Sequence, residues 1–432
     1  MKYPRVLIIG EYFNLRSGGG ITLTNLFCGW DKNNIAVASR EINNPDFSVC
    51  NKVYQLGYLE NKRRFPFNLS PWGGKTGSQE VFENTKPQIV SINKKTKKSD
   101  FKSLYVDFLK WTNLINYKQE LIISNGLRQW ISEFSPDIIY SQLSSLELIR
   151  FVNSLHIELN IPLALHIMDD WPLAVKKRGL MKYYWYKVID QEFRMLLSKA
   201  SIRLSISESM SEQYKSRYGY NFIPFHNPID VQYWSKNSKK NYQSGSPFIM
   251  LYAGRIGTGI QDCFLDIASA TKILVDKGMN IEFHIQPTTN NPVLEKVAKF
   301  SFVKIRSIGN YKDLPSVLSE ADLLVLPGDF DKKAISFLKY SMPTKVSEYM
   351  ITGTPILLYS SNEIAVTQHA LKYKWAYVVS EQNEDKLANA IFDIYSNMKL
   401  RKNLGEDAKI YAKNNFDSNI IRNHFRTILL NN

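Results

Sequence analysis

The chain has 432 residues, 44% of them apolar, with 55 Lys and Arg against 40 Asp and Glu and a formal net charge of +15. That length exceeds what one hydrophobic core serves, so two domains are expected, and the charge favours a partner with phosphates: a nucleotide, a nucleic acid or an anionic membrane. Three scattered cysteines, Cys28, Cys50 and Cys263, exclude a disulfide framework or a zinc site and point to a reducing, cytosolic compartment.

The chain opens on RVLIIGEYF, a buried-strand pattern without the longer apolar core or cleavage site of a signal peptide. Gly18, Gly19 and Gly20 follow, where the backbone can adopt disfavoured dihedrals or admit a close ligand; a plain loop before a helix is the other reading. Short apolar runs then alternate with helical patterns: IAVAS, PDIIYSQ, PLALHIMD and SIRLSIS, and later FIMLYAG, IEFHIQ, ADLLVLP, TPILLYS and WAYVVS. This alternation, occurring twice, predicts two α/β domains with parallel sheets and ligands at the strand ends. The expected division is 1–228 and 229–415, with a C-terminal helix over 416–432 that packs back on the first domain. Residues 51–120 mix basic and aromatic side chains, as in NKRRF and NKKTKK, and read as an insertion and not as an extra sheet strand. No apolar run approaches the roughly 18 residues that span a bilayer.

Two stretches of the second half carry candidate chemistry. In MLYAGRIGTGIQD a strand delivers Gly254 and Arg255, whose planar fork of donors suits a diphosphate; a surface arginine at a turn is the alternative. In YSMPTKVSEYMITGTP, Ser341 can cap a helix with Pro343 in its first turn, and Gly353 ends it. Lys345 and Glu348 then share a helix face, either as a surface ion pair or as a phosphate cation beside a ribose-binding carboxylate.

The ordered set GGG, HIMDDWP, SISESMSEQY, FHNPID, YAGRIG, ADLLVLP and PTKVSEYMITGTPIL resembles the retaining, nucleotide-sugar-dependent glycosyltransferases of family 4. The resemblance covers nearly the whole chain outside 51–120. It implies the GT-B fold, two Rossmann-like doubly wound domains facing across a cleft. It also implies transfer from a UDP- or GDP-sugar to a glycan or lipid-linked saccharide, with retention and without a bound metal or other cofactor. Carried residue by residue, it makes Glu348 the ribose ligand, Arg255 the stabiliser of the leaving diphosphate, Gly18 to Gly20 the loop near donor and acceptor, and His166 the active-site histidine. A hydrogen-bonded core histidine is the other reading of His166.

The same resemblance leaves gaps. The first glutamate of the family's pair falls at Tyr340, and no lysine follows Arg255 in IGTGIQD; Lys345 is the candidate replacement. Asp169 and Asp170 invite a metal, an acceptor hydroxyl or a helix start, with Trp171 as a sugar-stacking face. Ser341, Pro343, Thr344 and Gly254 complete the expected donor site, with Gln286, Asn310 and Tyr311 near the base. Asn227 and Asp230 read as structural.

Two rivals remain. A dinucleotide-dependent oxidoreductase would want G-x-G-x-x-G directly between strand and helix, which neither glycine cluster provides. A non-catalytic subunit that binds a sugar nucleotide or polysaccharide is made credible by Tyr340 and the missing lysine. No compact nucleic-acid motif accompanies the charge, so no nucleic-acid partner is expected. The expected location is cytoplasmic, peripheral at the inner face of an anionic membrane through basic and aromatic residues such as Phe65, Phe67, Trp72, Trp111 and Tyr117.

Overall fold

The computed structural model describes residues 3–431 apart from 16, 41, 43–44, 66, 68–75, 81–107, 110, 113, 115–116, 118, 176–178 and 308; Trp72 and NKKTKK therefore lie outside the described residues. Two units emerge, one of residues 1–225 and 424–432, the other of residues 226–423.

In the first unit the sheet order is β10-β9-β8-β7-β1-β2-β3-β5. Its strands are β1 (Val6–Ile9), β2 (Ile35–Ser39), β3 (Lys52–Gln55), β5 (Gly77–Glu80), β7 (Ile138–Gln142), β8 (Leu163–Ile167), β9 (Ile202–Ser205) and β10 (Ile223–Pro224). All pair in parallel except β5, which runs antiparallel to β3. Helices cover a parallel sheet on both faces, which is why β1, β2, β7 and β8 are buried at every residue and read as continuous apolar runs. Chain direction across the sheet reverses between β1 and β7, the place where doubly wound sheets bind ligands.

The region 51–120 departs from the expected insertion. Its β3 and β5 extend the main sheet, while β4 (Asn61–Arg63) and β6 (Gln119–Leu121) form a separate ribbon. Only Val53 and Tyr54 of β3 are buried, so this edge lacks the apolar run that marks the central strands. Buried Glu60 knits the region together, accepting from the Gly57 N–H at 2.8 Å, Tyr54 at 3.0 Å and Thr76 at 3.1 Å, and from Ser124. Near the other end of the unit, the Phe425 ring meets Phe27 edge-on at 5.2 Å and Phe225 at 5.4 Å.

The second unit is a parallel sheet in the order β13-β12-β11-β14-β15-β16. It comprises β11 (Phe248–Gly254), β12 (Ile281–Pro287), β13 (Val303–Ile305), β14 (Leu323–Pro327), β15 (Ile356–Tyr359) and β16 (Tyr377–Val379). Here the reversal falls between β11 and β14. A core of Phe248, Met250, Phe264, Phe283, Val325 and Leu357 joins β11, β12, β14 and β15 to the helix Cys263–Asp276. Among the described residues no helix is long and apolar enough to cross a membrane.

Candidate functional site

The end of β11 and the helix Lys345–Thr352 are latched together by side chains of the second unit. Tyr349 donates its hydroxyl to the Ala253 carbonyl at 3.2 Å and accepts from the Ala253 N–H at 3.0 Å. Lys345 donates to the Ala253 carbonyl at 3.1 Å and to the Tyr252 hydroxyl at 2.8 Å, with Nζ 4.0 Å from the centre of that ring. Tyr252 in turn donates its hydroxyl to the Arg255 carbonyl. Gly254, at φ +140, holds a conformation that side chains rarely adopt, and a Cβ there would displace Lys345 Nζ. Arg255 itself is exposed and forms no ion pair among the described residues.

The start of that helix is held by the turn that precedes it in space. His226 Nε2 donates to the Pro343 carbonyl at 3.3 Å, Asn227 to the Thr344 carbonyl at 3.1 Å, and Ser347 to the Asn227 carbonyl at 3.0 Å. Asn227 thus has the structural role expected of it. Ser341 does not cap the helix, contrary to the sequence expectation: Thr344 is the cap residue, in helical dihedrals and without a side-chain hydrogen bond, and Pro343 precedes it. Gly353 ends the helix at φ +71, as its position predicts. An uncapped helix start with a lysine on it and an arginine nearby is a ready site for an anion.

One turn into the helix, Glu348 is only 4% exposed and accepts from the Tyr311 hydroxyl at 2.6 Å. Burial pushes its carboxyl up to about 7, against the opposing pull of Tyr311 and Lys345. Burial of its ammonium end brings Lys345 down to about 7, opposed by Glu348 and assisted by the positive Arg255. Tyr311 begins the short turn Tyr311–Asp313 and meets the Trp234 ring edge-on at 6.3 Å, so it positions the carboxylate. Asn310 is exposed just before that turn; Gln286 is partly exposed and in register with Ala253, and Ser341 and Tyr340 are partly exposed.

The second helix start near the sheet reversal is already satisfied. Asp329, just after β14, accepts from the N–H groups of Gln261 and Cys263, each at 2.9 Å, and so caps the helix Cys263–Asp276. Asp262 and Asp331 bring carboxylates within 4.8 Å of it. The role visible for Asp329 is that of a cap.

In the first unit the three glycines are the first turn of the helix Gly18–Phe27 and not a loop; Ser17 caps it, accepting from the Gly20 N–H at 2.9 Å. A side chain on Gly20 would collide with Asn14, and one on Gly19 would stand 2.8 Å from both Glu11 Oε2 and Gln142 Oε1. The glycines make room for the protein's own polar groups. Glu11 lies beside this helix start, its carboxyl raised by burial against hydrogen bonds from the Tyr12 N–H, Ser17 and Asn14. A second anion there would meet that carboxylate, whereas a hydroxyl would find two acceptors.

His166 is fully buried at the end of β8, its Nδ1 2.6 Å from the Tyr140 hydroxyl, and burial lowers it to about 4. No atom of its ring is exposed, and Nε2 is buried without a hydrogen-bond partner among the described residues. Asp170 is engaged by Arg217 in a two-pronged ion pair at 2.7 and 2.8 Å and by Tyr214 at 2.9 Å, which leaves it a structural anchor. Asp169 is exposed, and Trp171 is partly exposed at the start of the helix Trp171–Val175. Sequence reasoning missed Tyr252, Tyr349, Asp329 and Glu11; a polar residue directly after a central strand, as in IIGE and VLPGD, is the signal that marks the last two.

Residues 247–397 match the family model of glycosyl transferases group 1. HepE of Anabaena, in a structure with UDP and glucose, is similar at TM-score 0.62 and 11% identity, over 100% of both chains. Sucrose-phosphate synthase of Thermosynechococcus elongatus is similar at 0.60 and 11%, over 98% of each chain. A glycosyltransferase of Rickettsia africae is similar at 0.60 and 12%, over 99% of this chain and 100% of that one. At such identities the likeness is one of fold. No curated protein matches the chain in sequence. Two Rossmann-like α/β units in this arrangement of elements are those of the GT-B class. The match to the family model of glycosyl transferases group 1 lies within the second unit.

Proposed function

We propose that the protein transfers a sugar from a UDP- or GDP-sugar to a glycan or lipid-linked saccharide, with retention at the anomeric carbon and without a bound metal. The observation that carries this reading is the cluster of Arg255, Lys345 and an uncapped helix start one turn from the Glu348–Tyr311 pair. Glu348 accepts from ribose hydroxyls. The diphosphate lies against the helix start, where Arg255 and Lys345 stabilise the charge that grows on the leaving group. Lys345, arriving beside Gly254 from the helix, supplies the cation that the segment after Arg255 lacks.

Glu11 and Gln142 in the first unit suit an acceptor hydroxyl. The solved HepE complexes hold UDP, UDP-glucose, or UDP and glucose, which favours a uridine nucleotide among the donors. The same reading has the protein cytoplasmic and peripheral at the inner membrane face. Nucleotide release from UDP- and GDP-sugars under single-turnover conditions with a chelator tests the reading. Release from one donor is expected, and a product with the donor's anomeric configuration, read by NMR. Binding without release from any donor, even with acceptor glycans present, would make the protein a non-catalytic subunit, the reading that Tyr340 in place of a glutamate favours.

A further inference from the structure

The helix Lys182–Lys199 is held to the first unit by Trp185, Ile189, Phe193 and Leu196, buried at i, i+4, i+8 and i+11. Side chains on the other side of its start are bare. Leu180, Tyr183 and Tyr184 are between 57% and 66% exposed, and Met181 is exposed beside them. The Leu180 N–H donates to the Trp111 carbonyl at 2.6 Å, which brings the exposed rings of Trp111 and Phe108, 6.3 Å apart, to the same place. Single exposed apolar residues are ordinary, but six gathered on one surface mark an interaction site.

Basic residues edge this surface. Lys182 lies over the Tyr183 ring at 5.1 Å, and Lys187 is exposed one turn further on. The stretch KKRGLMKYYWYK, residues 176–187, holds five basic residues and no acidic one. The acids further along the helix are neutralised at home, Asp190 by Arg194 at 2.7 Å and Glu192 by Arg150 at 2.5 Å. Tyrosine and tryptophan settle at a bilayer's headgroup level, leucine and methionine reach its acyl boundary, and lysines meet acidic headgroups. A nucleic acid would use the rings and the charge but has nothing to offer Leu180 and Met181.

We propose that the surface formed by Phe108, Trp111, Leu180, Met181, Tyr183 and Tyr184, edged by Lys182 and Lys187, docks the protein on an anionic lipid bilayer. The docking rests on the peripheral location proposed above, and not on which sugar or acceptor the enzyme uses. The full chain is to be cosedimented with vesicles of phosphatidylcholine alone and of phosphatidylcholine with phosphatidylglycerol, at low and high salt. Sedimentation with the anionic vesicles, weakened by salt, is expected. The variant Leu180→Ser/Tyr183→Ser/Tyr184→Ser should lower the partition roughly tenfold or more while melting like the parent, because it changes only exposed side chains. Lys182→Glu/Lys187→Glu, which keeps the rings, should lower it by a similar factor. The proposal is overturned if the parent stays in the supernatant, or if both variants bind as the parent does. It is overturned equally if the triple variant dissociates a dimer of the chain, or loses single-stranded nucleic acid and not vesicles.

Discussion

Each unit ends its central strand on a glycine with positive φ, +101 at Gly10 after β1 and +140 at Gly254 in β11, and each places a charged residue next. In the first unit that residue is Glu11, in the second Arg255. Their surroundings amplify the difference. Glu11 sits by a helix start that Ser17 already caps, with Gln142 adding another acceptor. Arg255 sits by Lys345 and a helix start that its own cap residue, Thr344, leaves without a side-chain hydrogen bond. One topology has thus been given opposite electrostatic signs. The function proposed above assigns a nucleoside diphosphate to the second and a neutral polyhydroxyl ligand to the first.

The comparison breaks first at Arg255. Arg255→Ala should cost roughly a hundredfold or more in turnover and far less in donor affinity, since charge on the leaving diphosphate grows only in the transition state. Single-turnover rates at saturating donor check this; a fall in affinity with turnover unchanged would confine Arg255 to ground-state binding. Next in size is Glu348→Gln. A carboxylate bound to ribose hydroxyls contributes about 1.5–3 kcal/mol, so donor affinity should fall about tenfold or more by calorimetry. Tyr311→Phe, which frees the carboxylate without removing it, should cost less, about 1 kcal/mol.

A smaller effect comes from pH. Lys345 is drawn down to about 7 from an ordinary value near 10.5, so the unfolded chain binds more protons in between, and this group's contribution to stability rises with pH over that interval. Glu348 is pushed up from 4.5 to about 7, so its contribution falls with pH between those values. Together they make the empty site least favourable to stability near neutrality. Stabilisation by a nucleoside diphosphate should therefore weaken several-fold in binding constant as pH rises above about 7 and the Lys345 ammonium is lost, whereas Lys345→Arg, charged at every accessible pH, should hold its affinity. Thermal shift across pH with both proteins measures this, and parallel curves would show that Lys345 does not contact the phosphates.

Central strands were readable because burial on both faces writes them as runs such as VLII and FIMLYAG, whereas β3, next to the edge and half-buried, resembles the loops around it. Arg255, Lys345 and Glu348 were legible as candidates because each lies beside a strand end or on a helix with a clear stop. What was hidden depends on contacts between distant residues. Tyr252 meets Lys345 across 93 positions, and Asp329 caps a helix 66 positions earlier. His166 marks a different limit of the sequence. Its place at a strand end is visible in LHIMDD, but whether the ring faces solvent or Tyr140 is decided by packing that no local pattern records.

The smallest effect is expected at Glu11, and it tests the contrast between the units most directly. Burial raises the Glu11 carboxyl, so the folded state holds its proton more tightly than the unfolded chain, and the ionised group lowers stability as pH climbs past its unfolded value of 4.5. Glu11→Gln removes that charge and keeps the shape, so at neutral pH the variant should melt no lower than the parent. Nucleoside diphosphate affinity should be unchanged, because that ligand is assigned to the second unit. The half-saturating concentration of acceptor should rise a few-fold, since an amide is a weaker acceptor than a carboxylate for a sugar hydroxyl. If instead the variant gained affinity for inorganic phosphate or diphosphate, the helix start at Gly18 would be an anion site that Glu11 holds closed, and the two units would differ by one side chain and not in kind.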